Sequence, residues 1–188
     1  MRYKNRMTLR FRLASRLFLL LTPLVLTSLF LDGVSCFSQS SEWRRGNLHT
    51  HTLWSDGDDF PEMVVKWYKD HGYQFLALSD HNLIQEGEKW VAITNKPSGA
   101  KALTRYRDEF GPQWHQERLS NGVLRVRLKT LNEFRHVFEE KNKFLLIPSE
   151  ELTGQYKVFP IHINVSNIRS KINPLDGTNV FDVMQKNV

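Results

Sequence analysis

Residues 46–59 read Gly-Asn-Leu-His-Thr-His-Thr-Leu-Trp-Ser-Asp-Gly-Asp-Asp. Leu48, Thr50 and Thr52 alternate with Asn47, His49 and His51. That period of two is the signature of a strand. Residues two apart on a strand share a face, so the two imidazoles are expected to project side by side toward one ion. Ser55, Asp56, Gly57 and Asp58 are loop residues that end the strand and bring a carboxylate back over its C-terminal end. Imidazole with carboxylate suits zinc, iron or manganese.

Working outward, the pattern predicts a first strand over 43–52 and then a helix opened by Asp59, Phe60, Pro61 and Glu62. Asp59 is placed to cap it, with Glu62 completing a capping box and proline in the first turn. Val64, Trp67, Tyr68 and His71 fall at helical spacing and are the expected buried stripe. Gly72 is the expected stop. Residues 73–79 form a nearly continuous apolar run that ends in Asp80-His81-Asn82. Such a run suits a parallel strand covered on both faces. Strand, helix, strand is a crossover unit, and both polar clusters then lie at C-terminal strand ends, where α/β folds place their sites.

Residues 86–143 read as an insertion or cover over that site. Within it the pattern predicts short helices at 86–94 and 100–110 and a turn at Ser120-Asn121-Gly122. An exposed strand at 123–129 and a helix at 131–140 follow. Residues 144–148 are a third buried strand leading into Glu150-Glu151, 161–165 a fourth carrying His162, and 180–186 the start of a helix. Among the aromatics, Trp54 is the candidate for a cleft wall, and His115 and His136 read as surface residues.

Composition excludes some chemistries. A single cysteine, Cys36, rules out an internal disulfide and a cysteine-based zinc site. The net charge of +6 invites a nucleic-acid reading, but six of the 26 basic residues and only one of the 20 acidic ones lie in residues 1–38. The remainder carries 20 bases against 19 acids, without a basic stripe to track phosphates, so no nucleic-acid partner is expected. The basic start, the fifteen-residue apolar run 17–31 and the small residues Gly33, Ser35 and Ser38 read as a signal peptide over 1–38. The run is short for a stable span of about twenty residues. Export to the periplasm or cell exterior is therefore expected. The alternative is membrane tethering by an uncleaved leader or a lipidated Cys36.

The ordered set Gly46-Asn47-Leu48-His49-Thr50-His51, Ser55-Asp56-Gly57, Ser79-Asp80-His81-Asn82, Glu151-Leu152-Thr153 and His162 resembles the motifs of the polymerase and histidinol phosphatase (PHP) metallohydrolases. The insertion is most similar to the secreted, carbaryl-hydrolase-like branch. The resemblance covers 43–188 and implies an α/β fold, the N-terminal part of a distorted (β/α)7 TIM-like barrel. It implies two or three divalent ions (Zn, Mn or Fe). His49 and His51 would hold the first, Glu151 would bridge, His162 would hold the second, and Asp56 with His81 the third. Asp56, His81 and Glu151 would be the catalytic set, acting through a metal-activated hydroxide, with Asp80 behind them orienting its neighbour. The doublet leaves Glu150 as a rival to Glu151, which is preferred because Leu152-Thr153 follows it. The family's later ligands, a histidine and an Asp-x-His, have no counterpart after His162, so the chain reads as an N-terminal fragment. The expected activity is phosphoester hydrolysis on a small molecule. Carbamate or ester hydrolysis on the same fold, or a non-catalytic metal-stabilised binding domain, are the alternatives.

Overall fold

The computed structural model describes residues 42–93 and 97–187. The expected leader and Cys36 lie outside them. Among the described residues no helix is long and apolar enough to cross a membrane. The architecture is mixed α/β. Within the described residues the elements follow in the order β1 (Gly46–Asn47), α1 (Pro61–Asp70), β2 (Phe75–Leu78), β3 (Lys89–Ala92), α2 (Pro97–Phe110), β4 (Glu117–Ser120), β5 (Val123–Leu128), α3 (Leu131–Phe138), β6 (Leu145–Tyr156), β7 (Phe159–Ser166) and α4 (Val180–Lys186).

The main sheet has the order β1-β2-β6-β7. Its first three strands are parallel, with Gly46 opposite Phe75 and Phe75 opposite Leu145. The fourth departs from a simple βα series. β6 runs on past the acidic doublet and turns through Lys157 (φ 55°) into an antiparallel partner, with Tyr156 opposite Phe159 and Thr153 opposite His162. The sheet is curled. In a flat sheet its two edges would stand about 14 Å apart, three spacings of ~4.8 Å. Yet the Asn164 side-chain amide on β7 donates to the Leu48 carbonyl just beyond β1 at 2.5 Å.

Several local expectations are met for the reasons read from the sequence. Gly72 ends α1 with φ 75°, which is strain-free only for glycine. Asn121 and Gly122, at φ 52° and 72°, make the tight turn between β4 and β5. Others are corrected. The first strand is only two residues long, and His49 and His51 lie in the segment beyond it. The segment expected to be helical at 86–94 contains β3, because Trp90 and Val91 pair with Arg127 and Val126. Asp59 does not cap α1: its carboxylate accepts from Phe60 N and Arg105 instead. Trp67 is 51% exposed, and the inner face of α1 is Pro61, Glu62 and Val65. Trp54 is no cleft wall; it is buried and its Nε1 donates to the Lys129 carbonyl. His115 is tucked in against Glu117 at 2.7 Å rather than free on the surface.

Two apolar clusters hold the fold. Val65, Leu76, Leu78, Phe134, Phe138 and Leu146 pack α1 and α3 on the main sheet. Trp54, Phe60, Leu103, Tyr106, Val126 and Leu128 pack α2 and the β3-β5-β4 sheet against the loop after β1. Phe110 and Trp114 touch both clusters. α3 starts with a complete capping box, Thr130 Oγ1 accepting from Glu133 N and Glu133 accepting from Thr130 N.

Candidate metal centre

Glu151 occupies the middle of a ring of histidines. Its Oε2 lies 3.1 Å from His51 Nε2 and 2.8 Å from His81 Nδ1. Its Oε1 lies 3.6 Å from His49 Nε2 and 3.3 Å from His162 Nδ1. Asp56 closes the ring from the loop, with Oδ1 at 2.8 Å from His51 Nδ1 and Oδ2 at 3.5 Å from His81 Nε2. All six residues singled out as ligands in the sequence are therefore brought to one place. They form three overlapping trios, His49-His51-Glu151, His51-Asp56-His81 and His81-Glu151-His162, each with ligand atoms within 4.8 Å of one another. The mouth is open at His49, His162 and Asp56, while Glu151 lies at the floor with 8% of its side chain exposed.

The backbone explains the convergence. Thr50 and Ser79 exchange hydrogen bonds, Ser79 N to Thr50 O at 2.8 Å and Thr50 N to Ser79 Oγ at 3.1 Å, so the segment with the two histidines runs beside the end of β2. Asn47 holds it from the other side, accepting from His49 N and donating to the His49 carbonyl and Thr50 Oγ1. Ser79 Oγ sits 3.0 Å from His49 Nδ1, which leaves Nε2 turned to Glu151. At the next step His81 bridges Glu151 in parallel, with Glu151 N to Asp80 O and Asn82 N to Glu151 O. Asn82, at φ 52°, extends that ladder with its own amide, bonding both the N–H and the carbonyl of Thr153. On β6 Glu151 and Thr153 share a face, and their partners Asn164 and His162 are on the same face of β7.

The loop 52–59 is the third support. Ser55 N and Gly57 N both donate to the Thr52 carbonyl, and Leu53 N donates to Asp59 O. A Cβ at Gly57 would meet Thr52 N at 2.5 Å, so only glycine lets the loop fold that tightly and return Asp56 to the ring. Asp56 is shifted below the ordinary carboxylate range. Desolvation acts upward on it, and the His51 hydrogen bond with the charges of His51 and His81 outweighs that.

Asp80 does not orient its neighbour. It is fully buried, and its carboxylate accepts four hydrogen bonds from elsewhere: Thr52 N (2.8 Å), Thr52 Oγ1 (2.9 Å), Ser55 Oγ (2.6 Å) and Gln85 Nε2 (2.8 Å). Glu150, the rival of Glu151, points away. It is buried with Oε2 accepting from Ile172 N, and burial pushes its pKa up. Sequence reasoning missed three supports: Ser79 under His49, Gln85 on Asp80, and Thr153, whose Oγ1 is 2.7 Å from His81 Nδ1 and 3.2 Å from His162 Nδ1. The signal for Thr153 was its place two residues after Glu151 on a strand. Gln85, beyond the Asp-His-Asn motif, had none.

These residues can hold a metal ion. His51 Nε2 and Glu151 Oε2 are buried and lack a hydrogen-bond partner although they face each other. Buried polar atoms are ordinarily satisfied, and a cation between the two would satisfy both. Ligand atoms on a tetrahedral ion with bonds of ~2.1 Å stand about 3.4 Å apart, close to the separations seen around Glu151. No family model matches the chain, and no curated protein matches it.

Proposed function

We propose that the protein is a metal-dependent hydrolase of the PHP type, acting on phosphoesters outside the cytoplasm. The observation that carries the proposal is the position of Glu151, one carboxylate whose two oxygens are divided between His49 and His162 on one side and His51 and His81 on the other. A carboxylate so placed suits a bridge between two ions. Divalent ions bound there supply a water of lowered pKa and positive charge for the oxygens of the transition state. Zinc, manganese and iron all accept this donor set, two or three to a chain. The chain's own residues do the rest. His49 and His51 are aimed by Ser79 and Asp56, Thr153 Oγ1 lies between His81 and His162, and the exposed mouth leaves room for substrate. Six ligands carry two negative charges when the imidazoles are neutral, so two divalent ions leave the centre at +2. That charge favours an anionic phosphoester over a neutral ester. On the PHP reading the curled sheet is the first part of a (β/α)7 barrel. The leader read over 1–38 supports an exported protein.

The test is elemental analysis of the purified chain followed by a substrate panel of phosphomonoesters, phosphodiesters, carboxylic esters and carbamates. Two or three ions per chain with turnover of phosphoesters is the expected result. Metal with turnover only of esters or carbamates would move the substrate class. Metal without any turnover would make the domain a metal-stabilised binding module.

A further inference from the structure

We propose that Gln85 is a positioning residue of the metal centre, acting through Asp80 on the loop that delivers His51 and Asp56. The inference rests on the metal reading above. Gln85 is 4% exposed, and its side-chain hydrogen bonds go to Asp80 and Thr52 rather than to any of the six ligands. Its Nε2 donates to Asp80 Oδ2 at 2.8 Å and to Thr52 Oγ1 at 3.2 Å. Asp80 in turn accepts from Thr52 N, Thr52 Oγ1 and Ser55 Oγ. Thr52 directly follows His51, and Ser55 directly precedes Asp56. The amide thus clamps both ends of the turn from which His51 and Asp56 project.

The chemistry at Asp80 explains why this donor matters. Every group on the Asp80 carboxylate is a neutral donor, and a buried carboxylate needs each of them in place of water. Remove one, and the carboxylate turns toward solvent or a new donor and carries the loop with it. The orientation of the Gln85 amide is settled by the same contacts, since the reversed amide would set an oxygen against the carboxylate. The amide Oε1 is buried without a partner, and Gln85 lines a cavity of about 230 Å³ with Leu78, Leu131 and Ser149. Replacing Gln85 by methionine therefore removes the donor while keeping the volume, with no hydrogen bond to the protein lost on the cavity side. Gln85 is placed for this role by its own backbone, whose carbonyl accepts from Leu131 N at the start of α3.

The test is a double-mutant cycle on zinc affinity, measured by competition with a chromophoric chelator on the full chain, for wild type, Gln85→Met, Asp80→Asn and the double variant. The melting temperature of each metal-free protein is recorded alongside. Loss of a partner behind a metal ligand costs about 10- to 100-fold in affinity. Gln85 acts one step further back than such a partner, so Gln85→Met is expected at the lower end of that range, about 10-fold weaker zinc binding in the wild-type background. In the Asp80→Asn background it should add less than about twofold, because the two residues act in series. A merely structural glutamine would lower the metal-free melting temperature and leave zinc affinity unchanged; that result overturns the proposal. So does an undiminished loss from Gln85→Met in the Asp80→Asn background, which would show an action independent of Asp80. A wild-type chain that takes up no zinc would sink the metal reading itself, and the positioning role with it.

Discussion

Glu150 and Glu151 are neighbours in the chain and lie on opposite faces of β6. Glu151 faces four imidazoles, whereas Glu150 is sealed behind the strand with one oxygen on Ile172 N and the other unpartnered. Alternation along a strand makes such a doublet two unlike residues. Glu151→Gln is expected to abolish metal loading, because a neutral amide can neither bridge nor balance two cations. Glu150→Gln is expected to keep full loading. Elemental analysis of both variants decides between them, and loss of metal in Glu150→Gln alone would reverse the assignment.

Gly57 is held against the Thr52 backbone too closely for a side chain. Gly57→Ala forces backbone rather than a flexible side chain to move, so the strain falls in or above the range of about 1–3 kcal/mol seen for overpacking. Asp56 is displaced with it. The expected result in urea unfolding is a loss of that order, with weaker zinc binding. A variant of wild-type stability and affinity would contradict the tight-turn account.

Glu62 sits in the first turn of α1, buried beneath Tyr106 and Trp114, whose O–H and N–H both donate to Oε1. Burial pushes its pKa above the ordinary glutamate value of 4.5, outweighing those hydrogen bonds and the charge of Lys129. The folded state thus holds a proton that the unfolded chain releases. Its contribution is fully present below pH 4.5 and is lost as pH rises toward the folded pKa. Glu62→Gln removes that loss. Melting curves from about pH 4 to about pH 8 should show the variant gaining on wild type as pH rises. Parallel curves would refute the buried-acid picture.

Asn164 ties the two edges of the main sheet together through the Leu48 carbonyl. Asn164→Ala removes that single bond, worth about 1 kcal/mol. Because Leu48 adjoins His49, zinc affinity should fall along with stability. Urea unfolding with and without zinc separates the two effects: equal losses in both conditions would make Asn164 a brace of the fold alone.

Metal removal gives a final check. A ligand bound only to the folded chain stabilises it by about 2.7 kcal/mol at a concentration about 100 times its Kd. Chelation is therefore expected to lower the melting temperature by several degrees, restored on adding zinc or manganese. An unchanged melting temperature would argue against a bound ion.

The local chemistry of this protein was legible in its residues. The Ser55-Asp56-Gly57 turn, the apolar run before Asp80-His81 and the Asn121-Gly122 turn depend on contacts within a few residues, and they fold as their patterns imply; the period of two around His49 and His51 does not, since the strand stops at Asn47, although both imidazoles still reach Glu151. Whether Glu62 capped α1 or sank into the core depended on Tyr106 and Trp114, distant in the chain. The antiparallel return of β7, the curl that brings Asn164 to Leu48, and the place of Gln85 on Asp80 are likewise decided by the tertiary arrangement. Short patterns encode which way a side chain faces along its own strand or turn. Packing and hydrogen-bond satisfaction between segments decide what it meets there.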